Sequence, residues 1–351
     1  MEFAFTAEQQ MIGETARDFF AEKATSDRIR KAMAADGIDR DLWRAYCQEL
    51  GLAGVALPEA YGGAGLGMIE FALLAEAAGA QVAALPLLGL ATAARAIALG
   101  GSAEQRTAWL PRLVSGEAIA AGEGAAHLDW ADGKLTGTLD MVPHGASANL
   151  FVFVTYDGAW LIPSAQDGVS VFAYTTMDQT RPLARVTLDR VCAEPLADLA
   201  AATLALQQGG WLCLAAEALG GAQACLDRTV AYARERVQFG RQIGSFQAYK
   251  HRLADMMIEI EQARSAVYWA ACALDEGAED AAMALHAAKS FAADTFFMCA
   301  GNMIQLHGGI GFTWDHDAHI YFKRARSIQS MLGDGNFHRE QVAAMVLGEA
   351  A

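Results

Sequence analysis

A continuous helical pattern runs from Ala202 to the end of the chain, and it constrains the fold more than any other feature of the sequence. Apolar residues, many of them alanine, recur there at the spacing of one helix face. Short turns divide this region into five segments, at roughly 202–236, 245–276, 278–306, 314–330 and 336–348. Because long helices joined by short turns pack in antiparallel order, the sequence predicts a C-terminal helical bundle.

The residues before the bundle change character once, near Ser115. The chain begins with Thr6-Ala-Glu-Gln9, which has the form of a capping box, and continues in apolar helical runs to Leu113. From Ser115 to about Asp198 the runs become short and β-branched, with Gly, Pro and Asp between them, which is typical of a small antiparallel β-domain. We therefore expect three domains, a helical domain, a β-domain and a helical bundle, at residues 1–115, 116–198 and 199–351.

The composition argues against several classes of partner and ligand. The formal net charge is −15, whereas nucleic acids and anionic membranes bind to basic patches. No uninterrupted apolar run is long enough to span a bilayer, and no signal peptide is recognisable, so we expect a cytoplasmic protein. The six cysteines form no C-x-x-C pair and are expected to be free thiols. His316 and His319 are too few for a zinc site, so no metal is expected.

Two segments of the bundle carry the most specific patterns in the chain. They are Arg236-Val-Gln-Phe-Gly-Arg-Gln-Ile-Gly-Ser-Phe-Gln247 and Gln305-Leu-His-Gly-Gly-Ile-Gly-Phe312. Taken alone, a basic residue at a helix C-terminus compensates the helix dipole, and glycine there is a left-handed stop. The second segment follows a helix rather than a strand, so it does not match the dinucleotide-binding βαβ fingerprint. An arginine fork, however, matches the geometry of a phosphate group.

These two segments and the order of the domains resemble the acyl-CoA dehydrogenase family over essentially the whole chain. The resemblance implies an N-terminal helical domain, a central β-domain and a C-terminal helical bundle, with FAD as the cofactor and an acyl-CoA thioester as the substrate. In the family, the two segments hold the FAD of a neighbouring subunit. Arg236 would therefore neutralise the FAD pyrophosphate, while Phe239 and Gln247 would contact its nucleotide part.

The glycine-rich segments differ in what they imply. By the same resemblance, Gln305 would form a hydrogen bond to FAD, and Gly308 and Gly309 would allow the backbone to approach it closely. By contrast, Gly62-Gly-Ala-Gly-Leu-Gly67 lacks the strand, helix and Lys-Ser/Thr of a phosphate loop, so we interpret it as a structural turn.

The catalytic base that the family requires is missing from its usual position. Acyl-CoA dehydrogenation removes an α-proton as a hydride leaves the β-carbon, and the base is usually a Glu whose pKa rises when substrate excludes water. Counting along the chain places Leu332 at that position. Asp334 would serve as the base if the loop shifts, but it is favoured as a helix cap. A minority of the family places the base near Gly210-Trp211, where the nearest carboxylate is Glu217, nearly two turns further along.

The β-domain also lacks residues with which the family holds flavin and substrate. The family's Thr-Glu-Pro loop, which meets flavin and substrate, would fall at residues 120–126, and its Trp-Ile-Thr segment is replaced by about Met141-Val-Pro-His144. The chain thus keeps the residues that contact a neighbour's FAD and lacks much of what holds its own. This asymmetry resembles the short subunits of the heteromeric α2β2 acyl-CoA dehydrogenases of bacterial steroid side-chain degradation.

Two hypotheses about function follow. In the first, which is favoured, the chain is a subunit without a base. It completes the FAD site of a homologous partner acting on a steroid or another bulky acyl-CoA, and electrons pass to an electron-transfer flavoprotein. In the second, the chain is a self-sufficient homo-oligomeric enzyme that uses Asp334 or an unrecognised base.

Overall fold

The computed structural model describes residues 4–124 and 127–348, and its N-terminal region is helical. The helices are α1 (Ala7–Lys23), α2 (Ser26–Met33), α3 (Arg40–Ala45), α4 (Met68–Ala80), α5 (Leu87–Gly89), α6 (Arg95–Gly100) and α7 (Ala103–Val114). A π-helical turn at Tyr46–Leu50 extends α3, and another at Leu90–Ala94 joins α5 to α6. A short 3-10 turn lies at Glu59–Tyr61.

Side-chain caps determine where two of these helices begin. Thr6 and Gln9 form the predicted capping box, in which the Gln9 amide donates to Thr6 Oγ1 over 3.2 Å and the Thr6 amide donates to Gln9 Oε1 over 3.0 Å. Ser102 and Gln105 form a second capping box at the start of α7. Each box satisfies backbone N–H groups that have no partner inside the helix, and a cap of this kind contributes about 1 kcal/mol.

The central region contains two four-stranded sheets. Its strands are β1 (Ala120–Glu123), β2 (Leu128–Ala131), β3 (Lys134–Pro143), β4 (Leu150–Val154), β5 (Ala159–Pro163), β6 (Val169–Ala173), β7 (Leu183–Val191) and β8 (Glu194–Pro195). One sheet has the order β1-β4-β5-β8 and the other β2-β3-β7-β6. Apart from β1 and β4, which pair in parallel, neighbouring strands are antiparallel. The apolar core of the region includes Phe151, Phe153, Ile162 and Val186.

Long helices make up the C-terminal region, as the sequence predicts. They are α8 (Leu199–Glu235), α9 (Gln247–Glu276), α10 (Ala281–His307), α11 (Ala318–Ser330) and α12 (Gly335–Leu347). Between α8 and α9 the chain forms two short strands, β9 (Val237–Gln238) and β10 (Arg241–Gln242), and a 3-10 turn at Ile243–Ser245. A second 3-10 turn, Gly308–Phe312, follows α10.

Helix α8 is long and apolar enough to cross a membrane by length and composition alone. It has 37 residues, and its most apolar 18-residue window has a mean hydropathy of 1.3. However, 56% of that window is buried inside the protein. This burial is typical of the core helix of a globular protein, and such a helix also meets the criteria of length and hydropathy.

The chain divides into two compact units. One contains Met1–Ser26, Met68–Ala83 and Leu214–Ala351, and the other contains Asp27–Gly67 and Ala84–Cys213. Helices α1 and α4 therefore belong with the C-terminal bundle rather than with the other N-terminal helices. The expected domain boundaries near residues 115 and 198 follow the changes of secondary structure and stay a prediction.

Two glycines allow α4 and α8 to pack at backbone contact within the first unit. A Cβ atom added to Gly79 would lie 2.2 Å from the carbonyl oxygen of Glu217, and one added to Gly220 would lie 1.9 Å from that of Glu76. Both distances are far below van der Waals contact. The carbonyls belong to helical backbone and cannot rotate away, so only glycine permits this approach.

Candidate cofactor-binding site

The segment that begins at Arg236 forms a tight β-hairpin at the end of α8. Strands β9 and β10 pair antiparallel through Val237 with Gln242 and Gln238 with Arg241. Phe239 and Gly240 form the two-residue turn, with φ values of +51° and +77°. Positive φ at both positions identifies the type I′ class. The sequence did not predict this hairpin, because the turn lacks the Asn-Gly or Asp-Gly pair that usually signals it.

Phe239 occupies a position that its own residue type disfavours. A bulky residue at positive φ is an outlier, and type I′ turns prefer Asn or Asp before Gly. The residue is also 92% exposed, and its ring lies edge-on to that of Phe246, with centroids 6.3 Å apart. Such an exposed ring on a strained turn points to a role in contacting something outside this chain.

Three helix ends meet at the base of this hairpin. The Tyr249 hydroxyl, in the first turn of α9, donates to the carbonyl oxygen of Leu306, in the last turn of α10, over 2.7 Å. The Tyr232 ring, in the last turn of α8, stacks on the ring of His307 with centroids 4.4 Å apart. The ends that carry Arg236, Gln247 and Gln305 are therefore held together in one unit.

The predicted contact side chains are left unused within the described part of the chain. Arg236, Gln247 and Gln305 are exposed. Among residues 4–124 and 127–348, none of their side-chain atoms takes part in a hydrogen bond or an ion pair. Nearby Arg241 instead lies over the Phe246 ring, with its guanidinium carbon 3.9 Å from the centroid. The polar groups of Arg236, Gln247 and Gln305 are thus exposed and are not used by another residue in this part of the chain.

The glycine turn after α10 has an open backbone. Gly308 has φ +63° and ψ −142°, a combination that only glycine adopts readily, rather than the left-handed stop that the sequence suggested. A Cβ atom added to Gly308 or Gly309 would meet no described atom within 4 Å. This backbone is accessible to a ligand that approaches closely.

The loop at the expected base position is ordered by buried groups. Leu332 has φ +52°, and its carbonyl oxygen lies 3.2 Å from His338 Nε2. The fully buried Lys289 donates to the carbonyl oxygen of Gly333 over 3.2 Å. Burial lowers the pKa of His338 to about 3, so its ring is neutral near pH 7. Leu332 therefore holds a defined position, but its side chain cannot accept a proton.

Asp334 is the N-cap of α12. Its Oδ1 accepts a hydrogen bond of 2.9 Å from the Phe337 amide. This bond is the main reason that the pKa of Asp334 is lowered, which is opposite to the shift that a base working near neutral pH requires. Glu217, the carboxylate nearest to the alternative position of the base, is buried in the α4–α8 contact region.

One perturbed carboxyl group was missed by sequence reasoning. Glu123, at the end of β1, is half-buried, and burial raises the pKa of its carboxyl group to about 7. Its Oε1 accepts a hydrogen bond of 3.1 Å from the Gly124 amide. No local pattern signals this environment, because burial is decided by the sheet. The remainder of the expected flavin loop, residues 125–126, lies outside the described residues.

The segment expected in place of Trp-Ile-Thr, about Met141 to His144, exposes no aromatic ring. Met141 lies in an irregularity of β3 between Leu139 and Val142, with φ +62°, and its side chain is 56% exposed. His144 also has positive φ, at +55°, and is buried. Among these described residues, the only aromatic side chain, that of His144, is therefore not at the surface.

Comparisons with known proteins decide the family. The acyl-CoA dehydrogenase C-terminal domain matches residues 190–347, and the acyl-CoA dehydrogenase N-terminal domain matches residues 6–117. The chain is 38% identical to the acyl-CoA dehydrogenase IpdE2 of Mycobacterium tuberculosis, over 93% of each protein. The chain belongs to the acyl-CoA dehydrogenase family. It is thus an FAD-dependent enzyme of the acyl-CoA dehydrogenase type, and the predicted fold is confirmed.

Two solved structures extend the similarity to complexes of two different chains. A chain of the ChsE4-ChsE5 complex from Mycobacterium tuberculosis superposes with a TM-score of 0.91 at 29% identity, covering 100% of both chains. A chain of a variant of the Tcur3481-Tcur3483 steroid ACAD superposes with a TM-score of 0.89 at 35% identity, covering 97% of this chain and 98% of the other. The predicted resemblance to heteromeric steroid enzymes is therefore confirmed as a similarity.

The hairpin end of this acyl-CoA dehydrogenase chain has the chemistry that FAD requires. Residues 234–252 contain five basic residues and one acidic residue in a chain with 26 basic and 41 acidic residues. A diphosphate needs such a local excess of positive charge. The exposed ring of Phe239 offers an apolar contact to an aromatic base, and the open backbone at Gly308 and Gly309 allows close approach. These groups fit the nucleotide end of FAD.

Proposed function

We propose that this chain is a complementing subunit of a hetero-oligomeric acyl-CoA dehydrogenase. It donates Arg236, Phe239, Gln247 and Gln305 to the FAD of a homologous subunit and does not supply the catalytic base. The observation that supports this most strongly is the set of unused polar side chains held at one end of the bundle beside a strained, exposed aromatic turn. A chain that used these groups internally would bury or pair them.

Each donated group has a distinct task in this proposal. Arg236 binds the pyrophosphate with a charge-assisted fork, which is shorter and stronger than a neutral hydrogen bond. Phe239 and Gln247 would contact the nucleotide part of FAD, and Gln305 would form a hydrogen bond to the cofactor. When bound, FAD would supply the hydride acceptor for dehydrogenation of the thioester. The residues of this chain therefore bind and orient rather than transfer protons.

The two positions considered for the catalytic base also support the assignment of this chain as a complementing subunit. Leu332 has no titratable group, and Asp334 is an ionised cap with a lowered pKa. Similar chains occur in the ChsE4-ChsE5 and Tcur3481-Tcur3483 complexes, and the latter is described as a steroid ACAD. We propose accordingly an α2β2 assembly in the cytoplasm, a steroid or other bulky ring-bearing acyl-CoA as substrate, and an electron-transfer flavoprotein as acceptor.

The decisive experiment compares flavin content with and without a partner. The chain is purified alone with added FAD, and it is also co-expressed with a longer homologous acyl-CoA dehydrogenase subunit. We expect little flavin absorbance in the chain alone. We expect about one FAD per pair of different chains in the complex, measured by absorbance and native mass. One FAD per chain in a homo-oligomer would overturn the proposal.

Substitution of Asp334 tests the alternative of a self-sufficient enzyme. Asp334→Asn keeps a capping side chain, so we expect stability to change little and acyl-CoA turnover by the flavin-containing assembly to stay within about twofold. If Asp334 were the base, turnover would fall by a factor of about 10² to 10⁴. Asp334→Ala is the matched variant, because it removes the cap as well and should lower the urea midpoint of unfolding relative to Asp334→Asn.

The raised pKa of Glu123 favours the alternative, a self-sufficient enzyme. A carboxyl group with a pKa of about 7 has the protonation behaviour of a general base near neutral pH. Under the proposed function, Glu123 is a half-buried structural carboxyl group, and Glu123→Gln leaves turnover by the complex unchanged. Loss of turnover in Glu123→Gln, together with FAD in a homo-oligomer, would favour the self-sufficient enzyme.

A further inference from the structure

The three flavin-contacting segments come from different helices, so their separation must be set by contacts between those helices. Arg236 follows α8, Gln247 begins α9, and Gln305 lies in the last turn of α10. Two hydrogen-bonding side chains can reach one cofactor only if their helix ends keep a fixed distance. Surface side chains with several rotatable bonds cannot impose that distance themselves.

We propose that Tyr249 is a positioning residue for the flavin site. Its hydroxyl group locks the first turn of α9, which carries Gln247, to the last turn of α10, which carries Gln305. This inference rests on the proposed function, since it assigns Gln247 and Gln305 to the same cofactor.

The geometry of the bond fits this role. The distance from Tyr249 Oη to the Leu306 carbonyl oxygen is 2.7 Å, typical of a well-formed O–H···O hydrogen bond. Leu306 is followed by His307 and the open turn at Gly308. The last four carbonyl groups of a helix have no N–H partner within the helix, so the Leu306 carbonyl oxygen can accept a hydrogen bond from a side chain. Burial raises the pKa of Tyr249, so the hydroxyl stays a donor across the range of an assay.

A second contact brings the end of α8 into the same arrangement. Tyr232 stacks on His307, and the carbonyl oxygen of Tyr232 accepts from the Arg236 amide over 2.9 Å. His307 Nδ1 lies 2.7 Å from the Met303 carbonyl oxygen and therefore carries the hydrogen. Tyr232 contacts His307, and Tyr249 contacts the adjacent Leu306, so these contacts lie within four residues of each donated polar side chain.

The test compares Tyr249→Phe with a matched tyrosine in the same unit. Tyr321 donates its hydroxyl to the Ala80 carbonyl oxygen over 2.8 Å, and Ala80 ends α4. Both variants remove one hydroxyl that donates to a helix-end carbonyl, and Tyr321→Phe should lower the urea midpoint at least as much as Tyr249→Phe because Tyr321 is buried and Tyr249 is half-buried. We expect only Tyr249→Phe to weaken FAD binding, by about tenfold, because two hydrogen bonds to the cofactor lose their alignment.

The measurement is the FAD dissociation constant of whichever assembly carries flavin, followed by flavin fluorescence below the unfolding range of every variant. Arg236→Ala serves as the reference for loss of a donated contact. Weaker binding in both Tyr249→Phe and Arg236→Ala, with Tyr321→Phe unchanged, supports the inference. If Arg236→Ala weakens binding and Tyr249→Phe does not, the positioning role is wrong while the donated contacts stand. If neither Arg236→Ala nor Tyr249→Phe changes the FAD dissociation constant, the assignment of the donated contacts is wrong, and so is this inference.

Discussion

Replacing Gly220 with alanine is expected to lower the free energy of unfolding of the α8-containing bundle by about 2–3 kcal/mol. The new Cβ atom would lie 1.9 Å from the Glu76 carbonyl oxygen and 2.8 Å from the Ala80 amide nitrogen, so α4 and α8 must separate. Overpacking against helical backbone at this distance is expected to cost about 3–4 kcal/mol, at or above the upper end of the usual range, and the gain in helix propensity offsets roughly 1 kcal/mol. Urea unfolding followed by circular dichroism measures the change.

Gly301→Ala is the control for this prediction. Gly301 lies inside α10, and a Cβ atom there would come no closer than 4.0 Å to the Phe322 ring. We therefore expect Gly301→Ala to leave stability unchanged or to raise it by up to about 1 kcal/mol, through helix propensity alone. Equal unfolding midpoints for the two variants would show that the α4–α8 contact relaxes at no cost, contrary to our account.

Replacing Arg236 with alanine is expected to weaken FAD binding by the hetero-oligomer by a factor of about 10 to 100. The guanidinium makes a charge-assisted hydrogen bond to the pyrophosphate in the proposed site, and such bonds contribute about 1.5–3 kcal/mol. Arg236 has no ion pair within the described residues, so its loss should leave the stability of this chain unchanged. Flavin absorbance of the purified complex and fluorescence titration measure the effect.

Two further variants separate charge from geometry in this test. Arg234→Ala removes the same charge two residues earlier, where the side chain points to another side of α8, so we expect at most a twofold change. Arg236→Lys keeps the charge without the fork and should retain only part of the affinity. Full flavin occupancy in Arg236→Ala would falsify the assignment of this residue to the partner's cofactor.

Periodicity and caps were sufficient to predict most of the helices. The segments predicted at 202–236 and 278–306 correspond to Leu199–Glu235 and Ala281–His307. Apolar spacing and glycine stops are local signals, so they can be interpreted without knowledge of packing. The parallel pairing of β1 with β4 was not predicted, because β2 and β3 lie between these strands in the chain and no turn connects them directly.

The candidate site was predicted residue by residue, but its structure was not. The pattern from Arg236 to Gln247 contains an aromatic-glycine turn that has no hairpin signature, and Phe239 at positive φ contradicts local preference. Local rules are expected to fail where a residue serves a binding partner instead of its own fold. Similarly, the sequence allowed Asp334 to be either base or cap, and the hydrogen bond from the Phe337 amide establishes the cap.

The sequence by itself determined which chemical groups this chain can offer. Leucine at position 332 excludes a base there, and the basic residues of 234–252 in an acidic chain define where an anion is favoured. Tertiary structure alone decided which of these groups act together. Burial sets the pKa of Glu123 to about 7, and the contact from Tyr249 to Leu306 joins two helix ends that are 57 residues apart in sequence. Residue identity is covalent and local, whereas desolvation and distance depend on every segment that packs around a group.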